Sequence, residues 1–233
     1  MSKEQILRHY YHRVIYTKEI WSLLESKRNR AKVLLEILAK FNPFIYGSIA
    51  RGNVHKESDI DIIITQQIPS FQIEFTLNQN GFENYFREII MATPQDSIKL
   101  YIHLSELECI TIPLTKLDRK SEEFYKFGGK INLDQLNNNI RVPGIDKRLV
   151  FIKPNQHGHE EFSIIDNEAI AVKELGINIG TLLERKKVLL RREKHGRTGV
   201  FFKRNLDFHE TTEAVLKEMA NKKPIIRKKL FQR

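Results

Sequence analysis

Cysteine is nearly absent: Cys109 is the only one in 233 residues. No internal disulfide framework can form, and the composition fits a reducing cytoplasm. Beside Ile110, this thiol is expected to pack as a small buried hydrophobe. Long hydrophobic runs are missing too. None approaches the ~18–20 residues that span a bilayer, so no membrane contact is expected. The first residues, M-S-K-E-Q, lack the apolar core of a signal peptide. There is no G-x-x-x-x-G-K-[ST] phosphate loop, no internal repeat and no low-complexity tract. His157, His159, Glu160 and Glu161 lie close together without the spacing of a closed zinc site, and a polar loop is expected there.

Apolar residues make up 41% of the chain, enough to build one large domain or two small ones. Charge is uneven. Residues 185–233 hold 16 Lys+Arg against 5 Asp+Glu, whereas residues 1–184 hold 23 against 24. The net +10 of the chain therefore resides in its C-terminal fifth. Such asymmetry points to a polyanion such as nucleic acid; the plainer reading is a solvated basic face.

The densest chemistry lies in residues 46–65, Y-G-S-I-A-R-G-N-V-H-K-E-S-D-I-D-I-I-I-T. A short apolar run, Phe44, Ile45 and Tyr46, leads into Gly47 and Ser48. Gly47 permits close backbone approach, and a short helix opening at Ser48 offers free N–H groups to phosphates. Asp59 and Asp61 stand two apart in an otherwise apolar run. The strand period of two puts both carboxylates on one face. Neighbouring carboxylates repel, and a divalent cation removes that cost. Hard oxygen ligands suit Mg²⁺, which commonly takes one or two carboxylates plus substrate phosphates.

The order G-S-x-A-R-G (Gly47, Ser48, Ala50, Arg51, Gly52) followed by the D-x-D strand (Asp59, Asp61) resembles the signature of the polymerase-β-like nucleotidyltransferase superfamily. The resemblance covers about twenty residues of the chain. It suggests an archaeal-type member with a C-terminal winged-helix-like segment. It implies an α/β fold, a nucleotidyltransferase-type mixed sheet with flanking helices. It also implies transfer of NMP from a nucleoside triphosphate (NTP) to a hydroxyl acceptor, either nucleic acid or protein. Asp59 and Asp61 would hold Mg²⁺ or Mn²⁺, and Gly47 and Ser48 the terminal phosphates. Arg51 either adds charge to the phosphate site or pairs locally. The superfamily further uses a third carboxylate on a later strand, as base or metal ligand. Glu88 takes that place, with Glu108 as its competitor, and neither is the usual aspartate. The departure supports a second reading: a nucleic-acid-binding regulator, or an antitoxin-like partner protein, with a catalytically weak nucleotide-binding domain.

Around this stretch the pattern predicts a helix over residues 3–40, with Ile20, Leu24, Leu34 and Leu35 on its core stripe and Trp21 beside it. A helix over 69–79 is closed by Gly81, and strands are expected over 85–93, 97–104 and 109–113. These complete a nucleotidyltransferase domain over residues 1–113. Residues 114–160 interleave aromatic and basic side chains, Tyr125, Lys126, Phe127, Lys130, Arg141, Lys147 and Arg148 among them. That mixture suits either contact with single-stranded nucleic acid or a satellite core with a basic rim. Residues 161–233 read as a third unit. Helices over 167–175 and 179–194 flank a turn at Gly176, and a Gly-containing tip follows at 195–199. This order resembles a winged helix-turn-helix. Thr181, Arg185, Lys186, Arg192 and Arg197 are then candidate nucleic-acid contacts; the alternative is a small helical docking domain.

Overall fold

The computed structural model describes residues 5–83 and 85–231. The chain opens with a strand, β1 (Tyr11–Ile15), before the first helix, α1 (Lys18–Ile37). The expectation of a helix from residue 3 is corrected there. The apolar stripe begins only at Ile20, and the Thr17 side chain accepts from the Ile20 N–H at 3.4 Å, capping the helix one turn earlier. Tyr, Val and Ile upstream of that cap favour extended backbone. Leu24, Ala31, Leu34 and Leu35 are the buried apolar face of α1.

The expected strands then follow: β2 (Phe44–Tyr46), a four-residue helix α2 (Ser48–Arg51), and β3 (Ile60–Ile63). Helix α3 (Ser70–Gln79), β4 (Phe86–Met91), β5 (Lys99–Ser105) and β6 (Glu108–Pro113) come next. Beyond them lie α4 (Arg119–Gly128), β7 (Lys130–Ile131), α5 (Leu133–Asn137) and β8 (Gly144–Ile145). The hairpin of β9 (Val150–Asn155) and β10 (Gly158–Ser163) replaces the polar loop expected at His157–His159. His159 is buried there, its Nδ1 2.8 Å from the Tyr16 hydroxyl and its Nε2 3.4 Å from Glu161. The chain closes with α6 (Glu168–Leu175), α7 (Ile179–His195), β11 (Phe202–Leu206), α8 (Thr212–Lys222) and α9 (Pro224–Phe231).

Two sheets result. Seven strands in the order β11-β4-β5-β6-β3-β2-β7 form a mixed sheet, in which β3 and β6 run parallel and the other pairs antiparallel. Four strands in the order β1-β10-β9-β8 form a second, antiparallel sheet. One face of the large sheet carries Ile45, Ile60, Ile62, Leu100, Ile102, Ile110 and Ile112, and packs under α1, α3, α8 and α9 in a single core. A second core joins Phe127, Phe151 and Ile164 to Ala171, Leu182 and Leu189 of α6 and α7. A mixed α/β sheet with flanking helices fits the fold that the resemblance implies. No helix among the described residues is long and apolar enough to cross a membrane.

The C-terminal segment does not make a wing. Strand β11 pairs with β4, with Phe202 opposite Met91 and Leu206 opposite Arg87, so it extends the large sheet. Val215, Met219 and Ile226 of α8 and α9 join the large-sheet core, whereas α6 and α7 join the smaller one. Residues 161–233 therefore share out between two cores.

A tight crossing fixes the two sheets together. An added Cβ at Gly144 would lie 2.7–2.8 Å from the Gly128 and Gly129 backbone, and one at Gly128 would strike the Tyr46 ring and hydroxyl at 2.2–2.4 Å. Backbone atoms cannot step aside as a flexible side chain can. Gly144→Ala is expected to destabilise the protein by about 1–3 kcal/mol, read as a lower midpoint in urea unfolding.

Candidate active site

Alternation along β3 sorts its side chains. Ile60 and Ile62 enter the large core, while Asp59, Asp61 and Ile63 face the other way. Strand pairing extends this second face sideways. Asp61 is in register with Tyr46 on β2 and with Cys109 on β6, and Cys109 with His103 on β5. The face is therefore polar along one line while its back is hydrocarbon. Asp59 is exposed at the strand entrance, and Asp61 is half-buried. Burial, and then the charge of Asp59, push the Asp61 carboxyl up to about 6, while the Lys147 ammonium draws it back.

Gly47 sits at the tip between β2 and α2 with φ +83°, a conformation that glycine adopts without strain, and an added Cβ there meets nothing within 4 Å. Its N–H donates to the Gly129 carbonyl at 2.9 Å. Ser48 opens α2, whose first-turn N–H groups have no intrahelical acceptors. Arg51 pairs locally, the second of its two expected roles. It is 6% exposed; its Nε donates to Asn53 at 3.0 Å and its Nη1 to the Gly128 carbonyl. It ties α2 to the Gly128–Gly129 turn.

Neither expected third carboxylate stands beside the pair. Glu88 shares the Asp61 face but lies three strands away, on β4 beyond β5 and β6. At about 4.8 Å per strand that is roughly 14 Å. Lys203 pairs with it, and His103 Nε2 stands 3.2 Å away. Glu108 is opposite Ile60, on the hydrocarbon side, and takes Arg30 in a two-pronged ion pair at 2.6 and 2.8 Å. The strand that adjoins β3 presents Cys109 and Thr111 to the site. Burial, then the charge of Asp61, push the Cys109 thiol up to about 12, so it stays neutral. Among the described residues no group of three His, Cys, Asp or Glu side chains is placed to hold a metal ion. The two carboxylates alone fit a cation: their oxygens are hard donors, and a cation would relieve both the burial of Asp61 and its repulsion from Asp59, the two causes that raise its carboxyl.

The candidate nucleic-acid contacts separate. Thr181 is 5% exposed; its hydroxyl donates to Glu123 at 2.6 Å, and Glu123 also accepts from the Asn178 N–H at 3.0 Å. These bonds dock the first turn of α7 onto α4. A recognition helix presents that same turn to base edges, so α7 cannot read a groove in the expected way. Lys186 pairs with Glu168. Arg192 and Arg197 are exposed. Arg185 lies 4.5 Å over the Phe124 ring, and its buried Nε has no hydrogen-bond partner. Lys99, unremarked in the sequence, lies 6.0 Å from the same ring and bonds the Tyr125 hydroxyl at 3.2 Å. Burial pushes both cations down. Only β5 alternation against the later helix α4 brings Lys99 here. Tyr125 and Phe127 of the expected aromatic-basic region are core side chains.

Residues 28–128 match the family model described as a nucleotidyltransferase domain. The match spans a little under half of the chain, and over that span the chain is similar to this family. The match agrees with the resemblance read from Gly47, Ser48, Asp59 and Asp61, all inside it. No curated protein and no solved structure matches the chain.

Asp61 holds its proton to higher pH folded than unfolded. Its cost to stability is absent below the ordinary value of 3.8 and fully felt above about 6. Asp61→Asn is therefore expected to raise the melting midpoint at pH 7 by several degrees, about 2–4 °C per kcal/mol in a chain of this size, with little change at pH 4. Millimolar Mg²⁺ should raise the wild-type midpoint and leave the variant unmoved. Calorimetry across pH with and without Mg²⁺ checks both.

Proposed function

We propose that the protein is a metal-dependent, polymerase-β-like nucleotidyltransferase that transfers NMP from an NTP to a hydroxyl on a nucleic-acid acceptor, in the cytoplasm. The observation that carries this is the placement of Asp59 and Asp61 on one face of β3, with the Gly47–Ser48 turn at the end of the paired strand β2. A divalent ion, Mg²⁺ or Mn²⁺, held by Asp59 and Asp61 would neutralise charge on the reacting phosphate. Ser48, at the start of α2, presents its N–H and hydroxyl to the terminal phosphates, and Gly47, with no side chain, leaves room for them. The unpartnered Nε of Arg185 and the ammonium of Lys99 offer positive charge on the same side of the sheet. In the reaction the acceptor oxygen bonds to the α-phosphorus, the bond to the β-phosphate oxygen breaks, pyrophosphate leaves, and the acceptor proton passes to solvent. Glu88, tied to Lys203, takes no part at the α-phosphorus.

The acceptor follows from charge. Arg192 and Arg197 stand exposed on and just after α7, within the segment that holds the basic excess. A second reading rests on Cys109 and Thr111, which stand where a third carboxylate would complete the site. On that reading the chain is a nucleic-acid-binding regulator whose domain binds nucleotide without turning it over.

Asp59→Ala/Asp61→Ala is expected to lower transfer of labelled NMP at least about 10²-fold. Unchanged transfer by this variant sinks the mechanism. Salt-sensitive duplex binding by the wild type with no transfer from any NTP supports the regulator instead.

Arg192→Ala should weaken binding of a single-stranded RNA oligomer and flatten the log Kd against log salt plot by about 0.7. Fluorescence anisotropy at several salt concentrations reads this; an unchanged slope removes Arg192 from the interface.

A further inference from the structure

A second charged concavity lies away from the carboxylate face. It opens between α1 and α5 and encloses about 460 Å³, lined by Trp21, Glu25, Arg28, Lys32, Asn137 and Arg141 among others. Helix α1 packs against the hydrocarbon side of β3, whereas Asp59 and Asp61 face the other side. None of Gly47, Ser48, Asp59 and Asp61 lines it.

Its charge is out of balance. Arg28 is 7% exposed; its Nε donates to the Ile49 carbonyl at 3.3 Å and its Nη2 to the Ile140 carbonyl at 2.7 Å. Arg141 Nη1 donates to the Gly158 carbonyl at 2.9 Å and Nη2 to that of Asn155. Carbonyl dipoles satisfy donors but do not cancel charge. Among the described residues neither guanidinium has a carboxylate partner. Burial, and then Arg141, push Arg28 down to about 10, with the Tyr16 phenol the one group holding it up. Lys32 adds a third cation and spends itself only on a loose 3.8 Å surface pair with Glu36. Glu25 is the one acid in the lining. Buried charge without a counter-ion is costly unless a ligand supplies one.

The walls also have an aromatic side. Trp21 is half-buried, with the Arg141 guanidinium 4.8 Å over its ring and Tyr16 edge-on at 4.9 Å. The volume falls within the ~300–1,000 Å³ range of small-ligand pockets. Asn137 adds an amide able both to donate and to accept.

We propose that this cavity binds a free phosphate-bearing ligand of nucleotide size, with its phosphates toward Arg28, Lys32 and Arg141 and its ring system at Trp21. The site is independent of the transfer chemistry and does not rest on that reading. Binding here bears on the catalytic side through Arg28, which holds the carbonyl of Ile49 in α2, the helix that Ser48 opens.

Trp21 is the only tryptophan in the chain, so its emission reports on this cavity. The full-length Asp59→Ala/Asp61→Ala variant in EDTA, with the metal site disabled, is titrated with ADP, with inorganic pyrophosphate and with a 5′-phosphorylated RNA oligomer, exciting at the red edge of tryptophan absorption. The expected result is a saturable change with ADP, a weaker one with pyrophosphate, and at least tenfold weaker ADP binding in Lys32→Glu. Arg28→Ala risks the fold and is not needed, since Lys32 is on the surface of α1. Circular dichroism confirms that Lys32→Glu is folded. No saturable change with any probe overturns the proposal. So does equal ADP affinity in Lys32→Glu, and so does a response to the oligomer alone.

Discussion

Two carboxylates held two residues apart on a strand whose back is solid hydrocarbon set the terms for the rest of the structure. Ile60 and Ile62 leave β3 no freedom to turn, because rotating the strand would bury Asp61 in the core. The burial of Asp61 and its repulsion from Asp59 are therefore built in, and together they raise its carboxyl. Lys147, arriving from the loop before β9, offsets part of that cost. Under the proposed function, a cation arriving with the substrate would offset the remainder. The site is thus poised for positive charge before any ligand arrives.

The surrounding contacts keep the Gly47–Ser48 turn in register with that pair. Gly47 bonds the Gly129 carbonyl, Arg51 bonds the Gly128 carbonyl, and Gly144 presses on the same turn. Three glycines meet because no side chain fits at the crossing. The buried guanidinium of Arg51 consequently serves geometry rather than phosphate. Glu123 performs a parallel task on the other side, joining α4 to the first turn of α7. The C-terminal segment is therefore knitted to the rest of the fold through α7, through β11 and through the core side chains of α8 and α9.

The strands and helices from residue 44 to 113 were legible in the sequence because each has a clean period and a clear stop. Pro43, Gly81 and Pro94 punctuate them, and β-branched runs fill them. The start of α1 was not legible, because the Tyr-His-Arg-Val-Ile stretch fits a short strand only if β10 lies beside it. The wing failed for the same reason. Helix, turn, helix and glycine tip are present, but the partner of β11 is β4, more than a hundred residues away. Thr181 and Lys186 looked like surface contacts until Glu123 and Glu168 took them.

Local sequence by itself determined the carboxylate pair, its shared face and the glycine-serine turn, since a strand period of two and the conformational freedom of glycine are properties of a few adjacent residues. Only the tertiary structure decided what stands next to them. Strand order placed Cys109 beside Asp61 and carried Glu88 three strands off, and it sent Glu108 to the opposite face. It also gathered Lys99 and Arg185 over Phe124, and Arg28 and Arg141 around Trp21. Neighbours across a sheet, or across two packed helices, are chosen by the burial of hydrocarbon over the whole chain. No short window of residues contains that information.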